Sequence, residues 1–214
     1  MSRAEDLGYP PGAFLRDDES ADQLFYVSPR FVVHLDEDAL TAVGAYLGEM
    51  LPPGGTVLDL MSSWRSHFPA EYRRGWVVGL GLNKAELADN PQLDEHIVWD
   101  VNANPTLPFE DERFDAVIVT VSVQYMTNPV QLFGEVRRVL KPGASFHVIY
   151  SSRMFPTKAV ALWKGLNASE RAYLIMEYFT ASGGWAEPEP VDRSPVRRRE
   201  LSDPVFIVRA RKRS

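Results

Sequence analysis

Short, unbroken apolar runs alternate along this chain with stretches whose apolar residues recur every three or four positions. Thr56-Val57-Leu58-Asp59-Leu60 and Trp76-Val77-Val78-Gly79-Leu80 are runs of the first kind. Neither alternates with period two, which predicts strands buried on both faces of a parallel sheet. His96-Ile97-Val98-Trp99-Asp100, residues 114–120 and residues 145–150 continue the series as third, fourth and fifth strands. Residues 204–211 do alternate, which predicts a half-exposed last strand at or near an antiparallel edge.

Between these runs the pattern turns helical. Asp36 is a suitable N-cap for a helix whose Leu40, Val43, Leu47 and Leu51 form one apolar stripe, stopped by Pro52-Pro53-Gly54-Gly55. Asn83-Lys84-Ala85-Glu86 has the capping-box arrangement and opens another helix. Asn128-Pro129-Val130-Gln131 combines a cap, a proline in the first turn and a glutamine three after the cap. That helix turns Val130, Phe133, Val136, Val139 and Leu140 inward and ends at Lys141-Pro142-Gly143. Residues 156–182 read as two helical stretches broken near Asn167, and residues 1–22 as an irregular, polar lead-in free to move.

Strands alternating with helices predict a doubly wound α/β sheet. Ligands in such sheets bind beyond the carboxyl ends of the strands. Here those ends fall at residues 59–67, 79–83, 100–102 and 120–125.

Composition narrows the function classes. The 214 residues suit one domain of roughly 100–200 residues with an appendage, and 45% hydrophobic with 24% charged residues suits a globular core. The absence of cysteine excludes a disulfide scaffold, a cysteine-ligated zinc and a thiol nucleophile. Histidines 34, 67, 96 and 147 lack metal-ligand spacing, so no metal is expected. A net charge of -6 argues against broad nucleic-acid binding, and Arg197-Arg198-Arg199 reads as a solvated face. No run approaches the ~18 apolar residues of a membrane helix. Met1-Ser2-Arg3-Ala4-Glu5-Asp6 lacks a signal-peptide core, so a cytoplasmic location and no membrane partner are expected.

Five segments, in order, carry a family likeness: Val57-Leu58-Asp59-Leu60; Val77-Val78-Gly79-Leu80; Asp100 with Leu107-Pro108-Phe109-Glu110-Asp111; Phe114-Asp115-Ala116-Val117; and residues 135–143, ending Arg138-Val139-Leu140-Lys141-Pro142-Gly143. Over residues 40–150 the chain resembles the core of class I S-adenosylmethionine (SAM)-dependent methyltransferases of the type 11-like, small-molecule branch. It is also similar to a subgroup of bacterial and plastid methyltransferase-like proteins with a Ser-Ser-Trp variant of the glycine-rich loop, a likeness shared by residues 25–34 and Ser152-Arg153-Met154-Phe155-Pro156.

The resemblance implies a mostly parallel seven-stranded sheet, a Rossmann-like methyltransferase fold, with an antiparallel strand near the C-terminal edge. It divides the chain into an N-terminal arm or lid, residues 1–35, and a methyltransferase-like domain, residues 36–214. The implied cofactor is SAM and the implied partner a small-molecule substrate. Asp59, Ser62, Ser63, Gly81, Asn83 and Asp100 fall at the cofactor end, with Asp100 where an acid meets the adenine amino group. Tyr125 falls on the substrate side, and His67 could act as a base, its free pKa being ~6.5.

Two positions depart from the family. The loop after Asp59 reads Leu60-Met61-Ser62-Ser63-Trp64-Arg65-Ser66-His67, without a glycine to let backbone pass close under the cofactor. Gly81 stands where the family places the acid that binds the ribose hydroxyls, leaving them to Asn83 or to no side chain at all. These losses keep open a second reading, a non-catalytic ligand-binding or regulatory protein on the same fold.

Plainer roles stand beside the chemical ones. Asp59 could cap the N–H groups of its loop, and Ser62 and Ser63 a short helix near Phe68. Trp64 and Met61 could fill the cofactor's space, or Trp64 and Tyr125 wall a pocket. Gly79-Leu80-Gly81 follows the second strand and lacks the third glycine of a dinucleotide fingerprint, and no Gly-x-Ser-x-Gly elbow supports a hydrolase. Tyr26, Arg30 and His34 would share a helix face, despite Pro29, either to recognise an anionic substrate or as part of a docked surface arm.

Overall fold

The computed structural model describes residues 7–196 and 202–214; the Arg197-Arg198-Arg199 run and the first six residues lie outside them. The strands are β1 (Val57–Leu60), β2 (Val77–Gly81), β3 (Glu95–Val98), β4 (Phe114–Thr120), β5 (Leu140–Tyr150), β6 (Glu189–Asp192) and β7 (Phe206–Arg211). The helices are α1 (Asp22–Phe25), α2 (Glu37–Met50), α3 (Lys84–Ala88), α4 (Pro129–Val139), α5 (Ala161–Gly165) and α6 (Ala168–Ser182). All seven strands form one sheet in the order β3-β2-β1-β4-β5-β7-β6. The first five are parallel, and β7 runs antiparallel to both β5 and β6. The antiparallel strand therefore lies one place in from the edge.

Burial on both faces explains the unbroken apolar runs. Every residue of β1 and β2 is buried. Val57, Val77, Ala116 and Ile118 face α2, against Ala39, Val43, Tyr46 and Leu47. Leu58, Val78, Val117 and Phe146 face the opposite layer, where Phe133 of α4 and Phe179 of α6 pack edge-on to Phe146. Strand β3, at the sheet edge, alternates between half-buried and exposed.

Several local expectations change. Asp36 caps α2 as predicted, accepting from Ala39 N–H at 2.9 Å. Asn83 caps α3 through Ala85 and Glu86 N–H, but the Glu86 carboxylate turns away to Arg30 N–H and Ser63, so the capping box stays open. Asn128 donates to the Gln131 side chain at 2.7 Å instead of capping α4. The break at Asn167 holds, with a complete capping box to Glu170, although α5 starts only at Ala161. Strand β5 begins at Leu140, directly after α4, and β6 has no apolar run because its Glu-Pro-Val-Asp sits on the exposed edge, where proline is tolerated.

The N-terminal segment differs most. No helix spans Tyr26 to His34, since α1 ends at Phe25 and Pro29 follows. The lead-in is irregular but docked: Ala13 and Leu15 carbonyls accept from Leu162 and Ala161 N–H at 2.8 Å, and Phe14 is buried. No helix forms near Phe68 either.

Candidate active site

The carboxyl ends of β1 to β5 open into one cavity of about 410 Å³, within the ~300–1,000 Å³ of small-molecule sites. All eight residues expected at the site line it: Asp59, Ser62, Ser63, His67, Gly81, Asn83, Asp100 and Tyr125. They converge because each follows or ends a parallel strand, or begins the element after it.

The loop after β1 is pinned to the end of β2. Ser62 N–H donates to Leu80 carbonyl at 2.8 Å. The Ser62 carbonyl oxygen lies 2.1 Å from where a Cβ on residue 81 would stand. Glycine at 81 is therefore a steric requirement of this loop, and an acid there is excluded by it. Met61 takes the left-handed conformation that glycine adopts freely, with φ 56°. His67 and Val121 are left-handed too, at φ 63° and 50°.

Asp59 is buried and accepts from the Ser62 and Ser66 hydroxyls, each at 2.6 Å. It holds its loop through side-chain hydroxyls, where loop N–H groups were the simpler expectation. Burial lifts its carboxyl to about 6, against the lowering effect of the two hydroxyls. Ser63 donates to Glu86 at 2.5 Å. Asn83 spends its amide on the Tyr26 and Val27 carbonyls while its oxygen caps α3, so it stitches the arm to the core. Asp100 folds back onto Asn102 and Ala103 N–H at 3.0 and 3.1 Å, with its side chain at the cavity wall.

Trp64 and Met61 flank the cavity without closing it. The Trp64 indole donates outward to Asp89 at 2.6 Å, and its ring meets Phe31 and the Arg65 guanidinium. Tyr125 stacks on Phe155, and its hydroxyl accepts from Phe155 N–H at 2.7 Å. Burial raises its pKa. Burial lowers His67 to about 4, with His34 and Arg65 adding to the effect, and burial also lowers His34. The His67 imidazole is therefore neutral at pH 7.

Tyr26, Arg30 and His34 do share the cavity, though by loop packing rather than as a helix face. Glu86, Phe155 and Thr120 were not singled out as site residues. Glu86 carried only a helix-start signal, Phe155 only a family likeness, and Thr120 only its place at the end of β4. The Thr120 hydroxyl is buried with no partner.

A methyltransferase-domain family model matches residues 68–148, beginning just past the altered loop. The Teredinibacter turnerae biotin biosynthesis bifunctional protein BioHC is 48% identical over 58 residues, 27% of this chain and 10% of that protein. The Chromobacterium violaceum ubiquinone/menaquinone biosynthesis C-methyltransferase UbiE is 29% identical over 119 residues, 54% of this chain and 48% of that protein. The chain thus matches less than half the length of these relatives. Geranyl diphosphate C-methyltransferase from Streptomyces coelicolor A3(2), solved with Mg2+, geranyl diphosphate and S-adenosyl-L-homocysteine, shares the fold. Its TM-score is 0.56 at 18% identity, over 80% of this chain and 77% of that one.

Two outcomes follow. Gly81→Ala and Gly81→Asp should each lower stability by about 1–3 kcal/mol in urea unfolding, because the added Cβ meets backbone. An unchanged midpoint would show that the loop can lift.

The second concerns pH. Between the ordinary 3.8 and about 6, native Asp59 keeps a proton that the unfolded chain releases, so that stability is lost as pH rises through 6. His67, near 4, and His147, near 3, release protons in the native state that the unfolded chain holds up to about 6.5, so stability falls with pH below 6.5. Asp59→Asn should therefore steepen the acid loss between pH 6 and 4, and His67→Asn should flatten it, as read by denaturant midpoints at several pH values.

Proposed function

We propose that this chain, a methyltransferase-like protein by fold and by sequence, binds SAM in the crevice and methylates a small molecule. The observation that carries this reading is one cavity joining a carboxylate-lined end over β1, β2 and β3 to an aromatic end over β4 and β5. The residues fit the cofactor: Asp59, Glu86 and Asp100 suit a cation rich in N–H and O–H donors, and the unpartnered Thr120 hydroxyl awaits a polar group. Asp100, with Leu82 and Val101, would hold the adenine end. Ser62 and Ser63, Gly81 and Asn83 would border the ribose and amino-acid end, and Asp59 would act there through its serines.

When bound, SAM supplies an electrophilic methyl group on a sulfonium. The chain's own task is alignment and exclusion of water. Within the arm of residues 1–35, the segment 26–30 serves as the cover, held by Asn83 and Glu86. Tyr125 orients the acceptor from its stack with Phe155. His67 offers a neutral imidazole for a proton, though a pKa near 4 makes it a weak base. The Ser-Ser-Trp loop supports grouping the chain with methyltransferase-like proteins that carry that variant, and a cytoplasmic setting without nucleic-acid or membrane partners suits the acidic composition.

A binding-only protein is the second reading, favoured by the engagement of Asp59 and Asn83 within the protein. Isothermal titration with SAM and S-adenosylhomocysteine separates the outcomes. Micromolar affinity for either is expected, weakened about tenfold by Asp100→Ala as one charge-assisted hydrogen bond is lost. No binding up to millimolar would overturn the proposal. Binding without turnover against a panel of small acids and phenols would favour the second reading.

A further inference from the structure

The cations lining the cavity are not alike. Lys158 is fully buried and held by Asp18 at 3.2 Å and Asp22 at 3.3 Å. Arg153 pairs with Asp203 at 2.6 Å, and Arg65 lies 3.7 Å from Asp89. Arg30 has no carboxylate partner among the described residues. Its main-chain N–H donates to Glu86, and its guanidinium packs among aromatic rings. There it lies 4.5, 5.5 and 5.3 Å from the ring centres of Phe25, Tyr26 and Phe155. One nitrogen, Nη2, donates to Phe25 carbonyl at 3.0 Å; the other, Nη1, is buried with no partner.

Arg30 is half-buried at the cavity wall, and a guanidinium packed on three rings with one nitrogen unpartnered is suited to receive an oxyanion. A buried donor left without a partner is destabilising, so a ligand oxygen that fills it is favoured. Position decides which oxyanion. The guanidinium packs on Phe155, beyond β5, and Phe155 stacks on Tyr125, beyond β4. Asp100, at the end assigned to adenine, lies beyond β3, on the other side of β2 and β1 in the sheet.

Building on the cofactor assignment above, we propose that Arg30 binds the carboxylate of the methyl acceptor, making the substrate a small carboxylic acid whose apolar body rests against Tyr125 and Phe155. The His34 imidazole, edge-on to the same Phe155 ring, adds a further polar group to this end of the cavity.

The test uses the full chain, titrated calorimetrically with sodium benzoate and with its neutral isostere benzamide, with and without S-adenosylhomocysteine. Benzoate should bind at least about tenfold more tightly than benzamide, the worth of one charged contact. Arg30→Gln and Arg30→Met should abolish that preference, with Met keeping the bulk against the rings, and Arg30→Lys should retain part of it. Equal binding of the two probes, no benzoate binding at all, or a preference that survives in Arg30→Met would overturn the proposal. So would an Arg30→Gln variant that weakens S-adenosylhomocysteine but spares methylthioadenosine, since the guanidinium would then serve the cofactor's own carboxylate. Because the benzoate comparison is also run without the nucleoside, failure of cofactor binding is read separately from failure of the anion site.

Discussion

The contact between the Ser62 carbonyl and the backbone of Gly81 governs the shape of the crevice. It turns two apparent losses, the missing loop glycines and the missing acid after β2, into one structural substitution. A loop seated this closely on β2 leaves no room for a side chain at 81. Its carbonyl and N–H are both directed at β2, so its serine hydroxyls are free to engage Asp59 and Glu86. Asn90 adds bonds from behind, to the Ser63 carbonyl and the Ser66 hydroxyl, each at 3.0 Å. The loop owes its position to side-chain bonds, with no glycine of its own to shape it.

Three non-glycine residues hold left-handed backbone around this loop and at the end of β4. The conformation costs roughly 1–2 kcal/mol for an ordinary residue and more for a β-branched one such as Val121. It persists because neighbouring groups overdetermine it: Val121 N–H bonds to Ile149 of β5 at 2.8 Å, and Met61 lies between β1 and the Ser62–Leu80 bond. Strain gathered at one cavity, beside a carboxyl raised and imidazoles lowered by the same burial, is the pattern of a ligand site rather than of a settled core.

Much of this was legible in the sequence, for a definite reason. Strands β1, β2, β4 and β5 are buried on both faces and so appear as apolar runs, and parallel strands bring their carboxyl ends to one edge. Residues as distant as Asp59 and Tyr125 were therefore placed together by topology alone. Strand β6 was invisible because Glu189 and Pro190 face solvent and carry no hydrophobic signal. Glu86 was misread because glutamate three residues after a cap closes a capping box in isolation, whereas here tertiary partners outbid the cap. Arg30 was grouped with Tyr26 and His34 by helical spacing that Pro29 prevents; packing against Phe155, over a hundred residues away, brings them together.

The same first turn of α3 joins fold to function. Asn83 ends the loop after β2, caps the helix and binds the Tyr26 carbonyl; Glu86, one turn on, fixes Ser63 and the Arg30 N–H. The arm is thus registered against the loop after β1 through a single short helix, with Arg30's backbone tied near β2 and its guanidinium carried toward β5. Glu86 and Asp100 line the crevice after β2 and β3, Asp22 near Tyr125 is paired with Lys158, and the Arg30 guanidinium, without a carboxylate partner among the described residues, lies against Phe155 after β5. Methyl transfer requires a cationic donor and its acceptor to be held in line. On the proposed reading, Glu86 and Asp100 toward the donor and Arg30 toward the acceptor would orient such a pair before any proton moves, and positioning by the arm would matter more than a strong base.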